Sequence, residues 1–373
     1  MLKFLNLQSE IFGIDISDSS LKIVKLKKKN KGFEFISLNE TEIGPGIIKE
    51  GIIQDKDALI KVISLACRSV KGEKLDTKYV SISLPDDKSF VQLIQSPKIK
   101  REELKTAIHF EISNYIPLPI DKVYFDFQII NTHHNQDSLH LDILINVMPK
   151  SVIDSYMYCF KKSGLIPCIL EIKSNAIVRA LLKTGEEPLS TIFIDFGDSK
   201  INFIVFSGHF IRFTFSASIS FQQLTNAIMN SEIINFKETA KDKKNSNSTE
   251  DNNQDILKIK NISPVLTEFI EQIKKYINFY NNHVSYEHFT TGDKIQKITL
   301  CGDQKTLKWL PNFIFNQLKI PADFGDPLVN ISSINKISDY LISSKKLSSF
   351  TAVIGLALRG ATDQILDGDN GDN

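Results

Sequence analysis

The stretches GIDISDSSLKIVKL (residues 13–26) and FIDFGDSKINFIVF (residues 193–206) are two versions of one pattern. Each is an apolar strand carrying an aspartate near its end, Asp15 or Asp195, then a small residue two positions later, Ser17 or Gly197, a polar turn and a returning apolar strand. An internal duplication is the simplest account. In a hairpin of this kind the backbone N–H groups of the turn point at an anion and hydroxyls add donors, forming a nest for phosphate. Ser17, Ser19, Ser20 and Lys22 supply such groups in the first copy, Gly197 and Ser199 in the second. Asp15 and Asp195 stand where a carboxylate holds Mg²⁺ through its hydration water. Two facing copies would grip a nucleotide's phosphate tail from both sides, whereas ordinary tight-turn chemistry accounts for either copy taken singly.

Outward from the first copy, residues 11–43 read as consecutive strands, IFGIDIS, SLKIVKLKK and GFEFISLNETEI. A helix follows over Asp55 to Val70, with Leu59, Val62, Ile63 and Ala66 at three- and four-residue spacing, and then a buried strand, YVSISLP. A helix over Arg101 to Tyr115 stops at Pro117 and Pro119, and the strands VYFDFQII and LDILINVM complete a small α/β insert. Helices over Pro149–Ser163 and Ser174–Leu182 lead into the second copy and the further strand HFIRFTFSA. Residues 237–258 are polar and lack apolar periodicity, which predicts a mobile surface loop. Ser263 and Pro264 open a helix that turns Leu266, Phe269, Ile270, Ile273, Tyr276, Ile277 and Tyr280 inward. The strand KITLCG, a helix near Lys305–Leu318, a helix over Ser349–Leu358 and an acidic tail complete the chain.

With 373 residues, 42% hydrophobic and 24% charged, the chain has material for two domains or for paired subdomains. Lys+Arg at 45 against Asp+Glu at 44 leaves a net charge of +1, so no global field recruits nucleic acid. Cys67, Cys159, Cys168 and Cys301 are scattered without a metal-binding spacing, which suits reduced thiols. His133 and His134 are adjacent on a loop and cannot easily converge on one ion. No stretch reaches the ~18 apolar residues of a membrane span, so any membrane association is expected to be indirect.

The paired turns, joined to LCGDQKTLKWLPNF (residues 300–313), resemble the phosphate 1, phosphate 2 and adenosine motifs of the actin, sugar kinase and heat-shock-70 superfamily. Within it, EELKTAIHFEISNYIPLPIDKVYFDFQII (residues 102–130) is similar to the insert of the PilM family of type IV pilus assembly proteins, where a helix ends in Tyr-Ile-Pro-x-Pro before an Asp-containing strand. SGLIPCILEIKSNAIVRAL, ISFQQLTNAI, KKYINFYNN and AVIGLALRG are similar to further PilM segments in the same order, from Phe12 to Arg359 overall. The resemblance implies an α/β, actin-like (ribonuclease H-like) two-lobed fold with duplicated mixed-sheet subdomains. Subdomain 1A would take residues 1–89, 148–189 and 348–362, and the small 1C insert residues 90–147. Subdomain 2A would take 190–236 and 295–347, subdomain 2B 237–294 with its mobile loop at about 239–258, and 363–373 would form a disordered acidic tail.

The resemblance also implies ATP and Mg²⁺ between the lobes, held by the residues of the two turns with Glu238, Lys241, Gly302 and Asp303 on the nucleoside side. Glu238 and Lys241 also read as an ordinary i,i+3 surface pair. Ser17, Ser220 and Asp303 replace family glycines, which predicts weakened ATP binding. Glu171 is the carboxylate the resemblance places to orient an attacking water, with turnover slow or absent. The implied partner is the short cytoplasmic N-terminus of a bitopic PilN-like protein, in a groove between 1A and 1C near Ile112, Tyr115, Ile116 and Pro117. Each of those residues also reads as plain core. Other pilus platform or motor proteins and self-association are compatible, at the cytoplasmic face of the inner membrane. Two other classes share the fold: an FtsA-like membrane tether, whose terminal amphipathic helix is not evident in ATDQILDGDNGDN, and a small-molecule kinase, whose sugar-binding insertion has no counterpart here.

Overall fold

The computed structural model describes residues 10–30, 32–97, 100–113, 116–130, 140–197, 200–217, 219–229, 263–284, 294–302, 307–332, 334–344 and 346–362. It divides into two compact units, Met1–Pro188 with Ile204–Phe215 and Gly325–Asn373, and Leu189–Phe203 with Ser216–Phe324.

The chain opens with β1 (Phe12–Ile16), β2 (Ser20–Lys29) and β3 (Gly32–Glu42), then the short β4 (Ile48–Lys49) and β5 (Ile52–Ile53). Next come α1 (Lys56–Arg68), β6 (Lys71–Gly72) and β7 (Tyr79–Leu84). The insert consists of β8 (Phe90–Pro97), α2 (Arg101–Ile112), β9 (Val123–Ile130) and β10 (His140–Pro149), and is followed by α3 (Lys150–Lys162), β11 (Ile166–Ile172) and α4 (Lys173–Leu181). The second copy begins with β12 (Thr191–Phe196), β13 (Ile201–Ser207), β14 (Phe210–Ala217) and α5 (Phe221–Met229), and continues through α6 (Pro264–Val284), β15 (Lys297–Cys301), α7 (Leu310–Leu318) and β16 (Ala322–Phe324). The helices α8 (Lys336–Ser343) and α9 (Thr351–Thr362) close the described chain.

The duplication read from two short hairpins extends to whole sheets. The six-stranded sheet runs β11-β7-β1-β2-β3-β6 and the five-stranded sheet β14-β13-β12-β15-β16. Leaving aside the two-residue β6, both follow one order: a three-strand meander whose first strand is flanked by two further strands arriving in parallel. β1 is buried along its whole length, and a strand covered on both faces needs a continuous apolar run, which FGIDI provides apart from its aspartate. On one face Leu59, Ile63, Tyr156 and Phe160 of α1 and α3 cover Phe12, Ile14, Leu21 and Ile23. On the other, Val353, Ile354 and Ala357 of α9 pack on Val24, Leu26 and Phe35. α9 crosses α4 so closely that a Cβ at Gly355 would lie 1.8 Å from the Ala176 carbonyl oxygen, so only glycine fits there.

The insert is a small antiparallel sheet, β8-β10-β9, whose Ile94, Val123, Ile143, Ile145 and Val147 are covered by Leu104, Ile108 and Ile112 of α2. Around the second sheet, α6 sets Phe269 and Tyr276 against Phe203, with ring centres 6.1 and 4.9 Å apart. Among the described residues no single helix is long and apolar enough to cross a membrane.

Several elements differ from the sequence reading. IPCILEI forms β11, although Pro167 and Cys168 blur its alternation; the strand lies at the sheet edge and its register shifts between Pro167 and Ile169, the setting in which a sheet tolerates proline. β8, β16 and α8 likewise have no counterpart in the elements expected from sequence. α2 stops at Ile112 rather than Tyr115, α7 starts at Leu310 with Pro311 in its first turn, and the last helix runs Thr351–Thr362 after a 3₁₀ turn over Leu347–Phe350.

Candidate functional site

The first aspartate turn is built by β1, β2 and β7. Asp15 is buried at the end of β1, opposite Lys22 in the antiparallel register. The Ser83 hydroxyl of β7 donates to Asp15 Oδ1 at 2.6 Å and accepts the Ile16 N–H at 3.3 Å, so the carboxylate is fastened where the strand ends. The turn closes through Ser17 N–H to the Ser20 carbonyl at 2.8 Å and Ser20 N–H to Ser17 Oγ at 3.1 Å. Lys22 Nζ donates to Ser20 Oγ at 2.9 Å and lies 3.8 Å from Glu40 Oε1. Ser17 needs no left-handed backbone, so its side chain closes the turn without the strain that loss of a family glycine suggested.

Asp18 is not among the residues to which the sequence points. Its carboxylate accepts the N–H groups of Glu50 and Gly51 at 2.8 and 2.9 Å, both in left-handed conformation, and so ties the β4–β5 hairpin to the turn. The Tyr156 hydroxyl donates to the Gly51 carbonyl at 3.0 Å. Burial, and then the carboxylates of Asp18 and Asp15, raise the Tyr156 pKa well above its ordinary value, so it remains a donor. An aspartate inside a turn was the available signal, but its partners lie about 30 residues away in the chain.

The second turn repeats the plan with other chemistry. Asp195 ends β12 half-buried, in parallel register with Cys301 of β15, as Asp15 meets Ser83 of β7. A Cβ at Gly197 would come within 2.9 Å of the Lys200 carbonyl oxygen, so the backbone folds back too tightly for a side chain. Gly302, just after β15, lies against Phe196, whose ring packs on Phe221 and Phe269 with centres 6.2 and 6.0 Å apart. Ser220 caps α5: its Oγ accepts the Gln223 N–H at 3.1 Å while Gln223 Oε1 accepts the Ser220 N–H at 2.8 Å. This is a Ser-x-x-Gln capping box, legible in the sequence. Ser199, Glu238, Lys241 and Asp303 lie outside the described residues, as does Tyr115.

Glu171 is buried at the end of β11 between two arginines. Arg179 of α4 donates to Oε1 at 2.5 Å and to Oε2 at 2.8 Å, and Arg359 of α9 donates to Oε2 at 2.7 Å. The carboxylate thereby joins a strand and two helices in a bidentate, charge-assisted clamp. In the insert, Ile112 and Ile116 are 2% and 8% exposed within its own core, while Pro117 is exposed. Among the described residues no group of three or more His, Cys, Asp or Glu could hold a metal ion directly. A single buried carboxylate such as Asp15 suits an ion held through water instead. Burial raises the Cys67 and Cys159 thiols to about 11, which leaves them protonated and unreactive near neutral pH.

Residues 13–361 match the family described as type IV pilus assembly protein PilM. The chain belongs to the PilM family. A chain of the solved PilM–PilN type IV pilus biogenesis complex superposes with a TM-score of 0.73 at 20% identity, covering 95% of this chain and 100% of that one. With the repeated sheet order, this PilM match establishes the actin-like fold expected from sequence. The ethanolamine utilization protein EutJ from Carboxydothermus hydrogenoformans aligns at 12% identity over 96% of this chain and 92% of its own, with a TM-score of 0.46. The cell division protein FtsA of Enterococcus faecalis (strain ATCC 700802 / V583) is 24% identical over 226 residues, 54% of this chain. The match spans 50% of the length of that FtsA.

Proposed function

We propose that this PilM-family protein is an adaptor of the type IV pilus inner-membrane assembly platform, working at the cytoplasmic face by holding the N-terminal peptide of a PilN-like bitopic protein. The family match over residues 13–361 carries the reading. A separately packed insert beside the six-stranded sheet supports it, since that insert has its own core and a surface to offer. In our assignment the insert is subdomain 1C and the six-stranded sheet belongs to 1A. Pro117 is then a residue for the peptide to touch, while Ile112 and Ile116 set the position of α2 from beneath. Calorimetry with a synthetic peptide of the cognate partner's N-terminus tests this. Saturable one-to-one binding is expected, and no binding would remove the reading. The FtsA match favours a cell-division tether as the second reading, to which that outcome would point.

For the nucleotide, the proposal is that Ser17, Ser19, Ser20 and Lys22 face phosphates from one turn and Gly197 and Ser199 from the other. Asp15 and Asp195 would hold Mg²⁺ through water, and Gly302, Asp303, Glu238 and Lys241 would lie on the nucleoside side. A fastened Asp15, a lysine beside the turn and the tight Gly197 backbone support it. We assign Glu171 to the arginine clamp, because its oxygens already take charged donors, and expect turnover to be slow at most. Titration of fluorescent ATP with and without Asp195→Ala tests binding; equal affinity in both would exclude this site.

A further inference from the structure

Lys150, Asp154, Tyr158 and Lys162 recur every fourth residue of α3 and so line up along one side of the helix, over about 18 Å. Asp154, Tyr158 and Lys162 are exposed and Lys150 is half-exposed. Tyr124 of β9 extends the stripe at one end: its hydroxyl donates to Asp154 Oδ1 at 3.2 Å, and Lys150 Nζ lies 5.2 Å from its ring centre. Lys56 of α1 widens the stripe at the other end. Its Nζ and that of Lys162 lie 5.3 and 5.7 Å from the Tyr158 ring centre. Three elements separated in sequence thus converge on one surface of a single unit.

The lysines of this surface rest on tyrosine rings and not on carboxylates. Among the described residues Lys56, Lys150 and Lys162 make no ion pair, unlike Lys22, Lys25 and Lys346. Asp154, the one carboxylate among these six residues, accepts the Tyr124 hydroxyl and keeps its charge, so the three lysines leave the stripe net positive. Both tyrosine rings are about half exposed, at 45% and 44%. We infer that this lysine–tyrosine stripe is a docking surface for the anionic headgroups of a phospholipid bilayer. Amphipathic rings settle at headgroup level, and lysine ammoniums reach anionic lipid on flexible stems. An acidic peptide would meet the same charges, but peptide recognition draws on a groove or an open strand edge, and this stripe is the outward side of a helix. With a net charge of only +1 for the chain, the attraction belongs to this patch and not to the whole molecule.

The inference rests on the reading that the protein works beside a membrane, and its test contains no partner protein, so the two can fail separately. The full chain is floated with vesicles of phosphatidylcholine alone or mixed with phosphatidylglycerol, at low and high salt. Flotation that requires phosphatidylglycerol and is released by salt is expected. Each Lys→Gln change at 56, 150 or 162 should weaken partitioning about fivefold, and the triple variant on the order of 100-fold. Removing equal charge elsewhere, at Lys27, Lys28 and Lys74, should leave binding intact, and a triple Lys→Arg variant should restore it. Equal flotation with neutral vesicles, equal loss in the control variant, or capture of polyglutamate with no vesicle binding would each overturn the proposal. A triple Lys→Gln variant that melts early is judged by the Arg variant, which must bind if the proposal holds.

Discussion

Glu171 shows how a carboxylate is assigned by its neighbours. Sequence resemblance placed it near the chemistry, and the structure surrounds it with Arg179 and Arg359. Glu171→Gln keeps the shape but removes the charge that both guanidiniums face. Because the arginines are about one-third exposed, water compensates part of the loss, and about 1–3 kcal/mol is expected in denaturant melts. A variant with unchanged melting and a reduced single-turnover rate would instead make Glu171 the water-orienting group. Lys25 offers a pH test. It is buried; burial acts to lower its pKa, but the hydrogen bonds it donates to Asp76 and Glu10 outweigh this and raise it. Asp76 is lowered, chiefly by its hydrogen bond with Lys25. The Asp76 contribution is therefore present above its ordinary pKa and lost as pH falls through the depressed value. The Lys25 contribution is lost only in strong alkali, above its raised value. Asp76→Asn should flatten the acid limb of a stability-against-pH curve at and below the ordinary aspartate range, leaving the neutral region nearly level. The change is small because Asp76 is largely exposed.

Helices α4 and α9 meet at the scale where packing, not any single charge, decides. Gly355 lets the two backbones touch, and Arg179 Nη1 also donates to the Gly355 carbonyl at 3.2 Å. Gly355→Ala has no rotamer to relax into, since the obstruction is the Ala176 backbone. A loss of at least about 3 kcal/mol, or failure to accumulate soluble protein, is expected. Gly164→Ala provides the contrast: its added Cβ meets nothing within 4 Å, so only the cost of its left-handed backbone remains, about 1 kcal/mol. Guanidinium melts of the two variants check the difference. Elements with clean periodicity, such as α1 and α6, were legible in the sequence because their buried residues repeat at helical spacing. β11 was not, since a strand bounded by two helices and broken by Pro167 carries no alternation to read.

Across the whole molecule the two aspartate turns are proposed to act on one ligand. Saturating Mg²⁺ and ATP at about 100 times the dissociation constant should then stabilise the protein by about 2.7 kcal/mol, seen as a rise in melting temperature of a few degrees. Asp15→Ala and Asp195→Ala should each remove most of that rise, and the double variant should remove no more than either alone, the sign of shared action. Independent, additive losses would mean two separate anion sites. The comparison is made on the ligand-induced rise, because Asp15→Ala also leaves the buried Ser83 hydroxyl without its acceptor.

The duplication, the meander opening each copy and the long amphipathic helices were all determined by sequence alone. They depend on residues a few positions apart, where periodicity and turn chemistry act directly. The membership of the insert in the PilM family was legible too, through consecutive motifs. Tertiary structure alone decided that Glu171 is clamped by arginines, that Asp18 holds a hairpin about 30 residues away, that Ile112 and Ile116 lie in a core, and that Tyr124, Tyr158 and Lys56 share a surface. Such partners are joined by the packing of distant segments, and the free energy that selects them is spread over the whole fold instead of written in any local stretch.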